Sequence, residues 1–231
     1  MLDPAGRVAM VSGASRGIGR AVMERLLTRG FRVSAGVRNP QALPGDDRLS
    51  VHRYDAARED AAGEWVAATM ARFGRIDALI NAAGINPVAT LTDPDERALD
   101  ALWLINVKGP LRVVRAALPH LAASGEGRVV NLASLSGKRV RNANIGYAMS
   151  KFAVLALTHA IRREGWDRGI RATALCPGFV ATDMTSEVMA WPHEKMTSAA
   201  DLAVLVETML LLPNTATVAE LLVNCRLEDM L

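Results

Sequence analysis

Short apolar segments alternate with longer helical patterns along the whole sequence. The apolar segments predict strands at residues 7–12, 31–36, 49–54, 76–81, 128–133, 170–175 and 218–225. Helical spacing of apolar residues falls between them, over 18–29, 58–73, 93–123, 146–164 and 197–212. Strands that alternate with helices need crossover connections, which produce a parallel sheet covered on both faces. The pattern therefore predicts a single doubly wound, Rossmann-type α/β domain of about seven strands over residues 1–231.

Composition and charge exclude several classes of function. Half of the residues are apolar, 22% are charged, and the formal net charge is +3 with the arginines scattered. So small an excess indicates neither a nucleic-acid binder nor a membrane-surface protein. Asp3 and Arg7 stand where a signal peptide would need its apolar run, and no apolar stretch is long enough to span a bilayer. Two cysteines without CxxC spacing and four scattered histidines predict no metal site, and we expect a soluble, cytoplasmic protein.

The first strand runs into a glycine-rich turn, Ser12-Gly13-Ala14-Ser15-Arg16-Gly17-Ile18-Gly19. Glycine removes Cβ atoms where a turn is tight and where the backbone approaches an anion. The following helix presents free N–H groups and the positive end of its dipole. A structural turn is the alternative, but the position between the first strand and the first helix favours a diphosphate cradle.

The end of the second strand, Gly36-Val37-Arg38-Asn39, indicates which dinucleotide would bind. NAD enzymes of this architecture usually place a carboxylate there to hold the ribose 2′-OH. Arg38, with Arg16 of the glycine turn, could instead pair with a 2′-phosphate. The sequence thus favours NADP(H) over NAD(H), and two solvated arginines are the alternative.

Tyr147 and Lys151 stand four residues apart on a predicted helix, so the phenol and the ammonium share one face. The ammonium should lower the pKa of the phenol towards the range of a general acid/base. Ser134, at the end of the fifth strand, could donate a hydrogen bond to a substrate carbonyl oxygen beside Tyr147. Ser136 is the alternative donor.

Together these motifs resemble the short-chain dehydrogenase/reductase family over nearly the whole chain. The family's TGxxxGxG, NNAG, YxxxK and PGxVxT motifs correspond to Ser12-Gly13…Gly17…Gly19, Asn81-Ala82-Ala83-Gly84, Tyr147…Lys151 and Pro177-Gly178-Phe179-Val180-Ala181-Thr182. The resemblance implies an NADP(H)-dependent enzyme that interconverts a carbonyl compound and a secondary alcohol. A catalytically idle dinucleotide sensor, or an epimerase or dehydratase that uses the same site, is the alternative.

The resemblance also implies a role for each matching residue. Tyr147 would be the acid/base, Lys151 would hold the nicotinamide ribose, and Ser134 would polarise the carbonyl. Asn106 would fix a water in a proton relay from Lys151. The implied cofactor contacts besides Tyr147 and Lys151 are Gly13, Ser15, Arg16, Gly17, Ile18, Gly19, Arg38, Asp55, Asn81, Ala82, Gly84, Pro177, Gly178, Val180 and Thr182. Asp55 would meet the adenine ring, Asn81 and Gly84 its ribose, and Val180 and Thr182 the carboxamide.

The chain departs from the family pattern at two places. Ala82 replaces an asparagine, which puts the stability of the central sheet in question. Residues 220–226 lack the common VDGG ending, which argues against an acyl-carrier ketoreductase and favours small hydroxy acids or short carbonyl compounds.

Two further segments bear on substrate and assembly. Lys138, Arg139 and Arg141 lie between Ser134 and Tyr147, and predict either an anion site for a carboxylate or phosphate or a solvated basic turn. Residues 182–197 contain Met and Trp side chains that would form a lid over an apolar part of the substrate, or else pack on a helix. Relatives usually pair the helix near 107–121 and the Tyr147 helix across two-fold axes, which predicts a homotetramer with a dimer as the alternative.

Overall fold

The computed structural model describes residues 1–43 and 46–228. Its strands are β1 Val8–Ser12, β2 Arg32–Val37, β3 Leu49–Arg53, β4 Ala78–Asn81, β5 Arg128–Leu132, β6 Arg171–Pro177, β7 Val180–Ala181, β8 Thr197–Ser198 and β9 Glu220–Val223. The α-helices are α1 Gly17–Thr28, α2 Ala61–Phe73, α3 Arg97–Leu102, α4 Gly109–Ala123, α5 Ile145–Gly165 and α6 Ala199–Leu211.

Seven strands form one parallel sheet in the order β3-β2-β1-β4-β5-β6-β9. The predicted doubly wound α/β fold is confirmed. The chain builds outwards from β1 to β3, then crosses back and continues from β4 on the other side of β1. At such a switch in strand order, the crevice beyond the carboxyl ends of the strands is the usual ligand site.

Helices cover both faces of the sheet, which explains why β1, β4 and β5 are buried at every position. On one face, α1 and α6 pack through residues such as Val22, Leu26 and Val206. On the other face, α2, α4 and α5 bury residues such as Trp65 and Val113. Among the described helices, none has both the length and the hydrophobicity needed to cross a bilayer.

The helix predicted over 93–123 is interrupted and starts later. Asp93 and Asp95 close local turns, because their Oδ1 atoms accept the N–H groups of Asp95 at 2.9 Å and Arg97 at 3.0 Å. The first helical residue is therefore Arg97. Between α3 and α4 the segment Trp103–Lys108 forms a π-helical turn, a feature that is often found at functional sites.

Other boundaries differ less. The predicted helix over 58–73 begins at Ala61, and the predicted strand over 218–225 is limited to Glu220–Val223. The short parallel pair β7–β8 was not predicted, and it joins the two ends of the segment expected to form a lid.

Asp77 ties β1 to the start of β4. Its carboxylate is fully buried and accepts the N–H of Val8 at 2.8 Å and two N–H groups of Arg75 at 2.9 and 2.6 Å. Asp77→Ala leaves a buried backbone donor without a partner, so we expect the free energy of unfolding to fall by about 3 kcal/mol. Urea denaturation measures this change.

The matched control is Glu24→Ala, which removes a carboxylate that pairs with Arg20 on the exposed face of α1. Exposed pairs contribute little, so this variant should unfold like the wild type. Equal urea midpoints for the two variants would contradict the role given to Asp77.

Candidate active site

Two adjoining clefts open at the carboxyl ends of the central strands. The first lies over the turn between β1 and α1, and the second lies over the ends of β5 and β6. Ile18, Ala82, Gly84 and Thr182 line both clefts, so the two form one continuous depression. It occupies the position that the strand order predicts for a ligand.

The glycine-rich turn after β1 brings backbone close to backbone. Gly13 has a φ of 68°, and a Cβ there would lie 2.9 Å from the backbone of Ala83. A Cβ on Gly19 would overlap the carbonyl oxygen of Gly13. In the part of the chain that the structure describes, no side chain caps the start of α1, which leaves its first N–H groups available to a ligand. The turn fits a diphosphate.

Arg16 and Arg38 line the first cleft, and both are exposed. The residues that end β2 include no acid, and Arg38 follows directly. Arg16 Nη1 lies 3.4 Å from Asp183 Oδ2 in an exposed ion pair. Asp55 also lines this cleft, and its Oδ1 accepts the N–H of Ala57 at 3.0 Å. The predicted contacts Ser15, Gly17 and Ile18 complete the wall formed by the turn.

Ser134, Tyr147 and Lys151 line the second cleft together. Ser134 follows β5, and its turn packs closely on α5, since a Cβ on Gly137 would lie 2.7 Å from the Lys151 carbonyl oxygen. Tyr147 lies in the first turn of α5, and Lys151 lies one turn later. Lys151 Nζ donates to the carbonyl oxygen of Leu132 at 2.7 Å and is 5.5 Å from the centre of the Tyr147 ring.

Burial dominates the protonation of this pair. It raises the pKa of Tyr147 to about 12, and the Ser134 hydroxyl acts in the opposite direction. It lowers the pKa of Lys151 to about 8. The predicted lowering of the Tyr147 pKa by Lys151 is therefore wrong for the chain alone, because burial raises that pKa and the ammonium donates instead to the Leu132 carbonyl oxygen. Tyr147 is held in the form that can donate a proton.

The position of Ser134 also bears on the alternative donor, Ser136. Both residues line the second cleft, and Ser134 Oγ accepts the N–H of Ser136 at 3.1 Å. The hydroxyl that influences the Tyr147 phenol is that of Ser134.

Asn106 lies in the π-helical turn and is buried. Its Oδ1 accepts the N–H of Ile85 at 2.9 Å, and its Nδ2 donates to Ile85 O at 3.0 Å and to Ser150 Oγ at 3.1 Å. Gly84 separates it from Lys151: a Cβ there would be 3.3 Å from Asn106 Oδ1 and 3.9 Å from Lys151 Nζ. The amide thus fixes the loop beside Lys151, and its part in a water relay stays a prediction.

The structure does not bring Asn81 into either cleft. The Asn81 side chain is buried and donates to Asn131 Oδ1 at 2.8 Å, and Asn131 in turn donates to Thr158 Oγ1 at 2.9 Å. The side chain thus links β4, β5 and α5, and the contact of Asn81 with a ribose stays a prediction.

Ala82, where the chain departs from the family pattern, is held by the end of β1. Ser12 Oγ accepts the N–H groups of Ala82 at 3.0 Å and Ala83 at 3.1 Å. Ser12 therefore joins β1 to the residues that follow β4, next to the hydrogen bonds between Asn81 and Asn131. These contacts hold the central strands together at Ala82, where the family pattern has an asparagine.

The remaining predicted contacts lie at the end of β6. Pro177, Gly178, Val180 and Thr182 line the second cleft. In the segment 182–197, Thr185 and Val188 line the same cleft, whereas Met189 is 96% exposed. Movement of this segment as a lid stays a prediction.

Sequence reasoning missed several residues of the second cleft. Asn144 caps α5 and accepts the N–H of Ala89 at 3.0 Å, which anchors the loop after β4. Phe179, Arg226 and Glu228 also line the cleft. Phe179 occupies a variable position of its motif, and the other two follow the last strand, where no motif indicated a site.

The profile of the short chain dehydrogenase family matches residues 7–193. The chain belongs to this family. This short-chain dehydrogenase is 42% identical over 229 residues to the agropine synthesis reductase of Rhizobium rhizogenes, an alignment that covers 96% of the chain and 53% of that protein. It therefore spans about half the length of the agropine synthesis reductases that it matches. It is also 39% identical over 192 residues to the 2-(R)-hydroxypropyl-CoM dehydrogenase of Xanthobacter autotrophicus, covering 78% of the chain and 76% of that protein.

Two solved structures superpose closely on this short-chain dehydrogenase. A short chain dehydrogenase from Burkholderia cenocepacia in complex with NADP gives a TM-score of 0.87 at 28% identity, over 96% of the chain and 98% of that structure. A 3-ketoacyl-(acyl-carrier-protein) reductase from Brucella melitensis complexed with NADH gives the same TM-score at 24% identity and the same coverage, which supports the fold alone.

Proposed function

We propose that the chain is an NADP(H)-dependent oxidoreductase that interconverts a carbonyl compound and a secondary alcohol. The observation that carries the proposal is the convergence of Ser134, Tyr147 and Lys151 in a cleft continuous with the glycine-rich turn. Membership of the short chain dehydrogenase family supports the proposal. Carbonyl reduction also requires that the hydride and the proton reach the same carbonyl group, and a continuous cleft would allow this.

The residues that would hold the dinucleotide follow the length of the depression. The glycine-rich turn and the first N–H groups of α1 would bind the diphosphate. Arg16 and Arg38 would pair with the 2′-phosphate, and Asp55 would lie on the adenine side. Val180 and Thr182 would meet the nicotinamide carboxamide. The NADP-bound relative from Burkholderia supports this choice of cofactor.

The chain itself would manage the proton. A reduced dinucleotide, when bound, would supply the hydride, and negative charge would develop on the oxygen of the carbonyl group that Ser134 and Tyr147 face. Ser134 would donate a hydrogen bond to that oxygen, and Tyr147 would transfer its phenolic proton to it. Lys151, as the ammonium, would stabilise the phenolate that remains. In alcohol oxidation Tyr147 takes the proton back.

The direct test uses purified protein, NADPH and a panel of ketones, aldehydes and keto acids. We expect the near-ultraviolet absorbance of NADPH to fall as the alcohol forms. Binding of NADPH with no consumption against any compound would favour the sensor. Conversion of a substrate with no net change in NADPH would favour the epimerase or dehydratase.

The pH dependence of carbonyl reduction follows from the two burial effects. Tyr147 stays protonated, since burial raises its pKa to about 12, whereas burial lowers the pKa of Lys151 to about 8. We expect kcat/KM to be flat below pH 8 and to fall above it, as Lys151 loses its charge. Arginine keeps its positive charge at higher pH than lysine does. For Lys151→Arg, kcat/KM normalised to its own maximum should therefore stay constant to a higher pH than in the wild type. Identical profiles for the two proteins would contradict the role of the charge.

We also propose a homotetramer, with a dimer as the alternative, in the reducing cytoplasm, where Cys176 and Cys225 would stay free thiols as they are here. Trp103, Met149 and Phe152 support assembly, because these large apolar side chains are exposed on the π-helical turn and α5. Light scattering should give the mass of four chains, and Met149→Glu should give a smaller species. A monomeric wild type would contradict the assembly.

A further inference from the structure

Three arginines and one glutamate line the cleft that holds Ser134 and Tyr147: they are Arg139, Arg141, Arg226 and Glu228. Glu228 Oε2 accepts hydrogen bonds from Arg139 Nη2 at 2.9 Å and from Arg141 Nη1 at 2.7 Å. Glu228 Oε1 lies 3.6 Å from Arg226 Nε. We call these four residues the arginine cluster.

The arginine cluster carries excess positive charge. Three guanidinium groups against one carboxylate leave two positive charges, and Glu228 is the one carboxylate among the described residues that line this cleft. The side chains of Arg139 and Glu228 are 10% and 5% exposed, whereas those of Arg226 and Arg141 are 23% and 43% exposed and open to the cleft. Positive charge that is partly withdrawn from water, and that the described carboxylates do not fully balance, favours the arrival of an anion.

Arg226 is held in a way that suits recognition of an anion. Its guanidinium carbon lies 5.1 Å from the centre of the Phe179 ring and 5.6 Å from the centre of the Trp191 ring. Its Nε is buried and has no hydrogen-bond partner within the described ranges 1–43 and 46–228, where the nearest Glu228 oxygen is 3.6 Å away. An arginine that is fixed against aromatic rings keeps its planar set of donors oriented for an oxyanion.

Lys138, the nearest cation along the chain, does not belong to the cluster. It donates to Glu220 Oε2 at 2.6 Å, and Glu220 also bonds to His159 at 2.7 Å. The basic segment predicted from the sequence is therefore divided: Lys138 is neutralised at the edge of the sheet, while Arg139 and Arg141 turn to the cleft.

We propose that the substrate of this cleft carries an anionic group, a carboxylate, sulfonate or phosphate, that binds to Arg141 and Arg226 while the carbonyl meets Ser134 and Tyr147. Glu228 is the internal counter-ion that keeps the arginines ordered before the substrate arrives. This inference rests on the proposed function and names its substrate class.

The experiment compares pairs of ketones in which one member carries a carboxylate and the other its uncharged methyl ester. The pairs are levulinate with methyl levulinate, and para-acetylbenzoate with its methyl ester, each reduced with NADPH. We expect kcat/KM for the acid to exceed that for the ester by about tenfold or more. Arg226→Gln should lower this acid-to-ester ratio by about tenfold. Glu228→Gln removes the competing negative charge but keeps an amide oxygen that accepts hydrogen bonds from Arg139 and Arg141, so it should raise the ratio.

Lys138→Gln is the matched control, because it removes a cation from the same segment outside the cluster, and it should leave the ratio unchanged. Calorimetric titration of para-acetylbenzoate into the wild type and Arg226→Gln adds a measurement that needs no turnover. Weaker binding to the variant is expected.

The outcomes separate this inference from the proposed function. The anion site is overturned if the wild type reduces acid and ester with equal kcat/KM, or if Lys138→Gln lowers the acid-to-ester ratio as much as Arg226→Gln does. Either result leaves the proposed oxidoreductase activity intact. Absence of turnover for every ketone overturns the proposed function. The titration with para-acetylbenzoate then decides the anion site. Equal affinity of the wild type and Arg226→Gln overturns the anion site, and weaker binding to the variant supports it.

Discussion

Replacing Tyr147 by phenylalanine should lower kcat for carbonyl reduction by a factor of about 10²–10⁴ while NADPH binding stays within a few-fold. Phenylalanine keeps the ring that packs near Lys151 but removes the proton that the carbonyl oxygen would receive. Ser134 would still polarise the carbonyl, so a small residual rate is expected. Steady-state kinetics with any accepted ketone and fluorescence titration with NADPH measure the two quantities.

Tyr54→Phe is the control, since Tyr54 is the other tyrosine of the sequence and its ring packs against Trp65 with the centroids 4.9 Å apart. It removes the same atom from a buried ring, and kcat should stay close to that of the wild type. Full activity in Tyr147→Phe, or equal losses in the two variants, would contradict the assignment of the proton donor.

Replacing Arg38 by aspartate should reverse the preference for the dinucleotide. The change removes a charge-assisted contact to the 2′-phosphate and sets a carboxylate against it, so kcat/KM with NADPH should fall about 10²-fold. The same carboxylate can accept a hydrogen bond from a ribose 2′-OH, so kcat/KM with NADH should rise. The ratio of kcat/KM for the two dinucleotides, measured with one ketone, reports the change.

Arg32→Asp is the matched control for Arg38→Asp. Arg32 is exposed at the opposite end of β2, away from the glycine-rich turn, and the substitution changes the charge equally. Its NADPH-to-NADH ratio should match that of the wild type. If both variants changed the NADPH-to-NADH ratio equally, the change would come from net charge and would contradict a specific contact between Arg38 and the 2′-phosphate.

The order of strands and helices could be predicted because burial on both faces leaves continuous apolar runs in the sequence. The glycine-rich turn and the pair Tyr147–Lys151 could be found because each depends on spacing within one element. The π-helical turn at Trp103–Lys108 could not, since a shift in backbone hydrogen bonding leaves the apolar spacing almost unchanged.

Features that depend on distant partners were predicted less well. Lys138 was grouped with Arg139, but their carboxylate partners, Glu220 and Glu228, are 82 and 89 residues away. The hydrogen bond between the side chains of Asn81 and Asn131 could not be predicted either, since Asn131 is 50 residues further along the chain. The raised pKa of Tyr147 follows from burial, which a local motif does not reveal.

The most direct test of the central claim is the transfer of deuterium from NADPH labelled at both C4 positions to an accepted ketone. Mass spectrometry should find one deuterium on the carbinol carbon of the alcohol made by the wild type, and an initial rate of labelled product from Tyr147→Phe that is lower by a factor of about 10²–10⁴. An alcohol without the label, or the same labelled yield from the variant, would contradict the claim that this chain transfers hydride with Tyr147 as its proton donor.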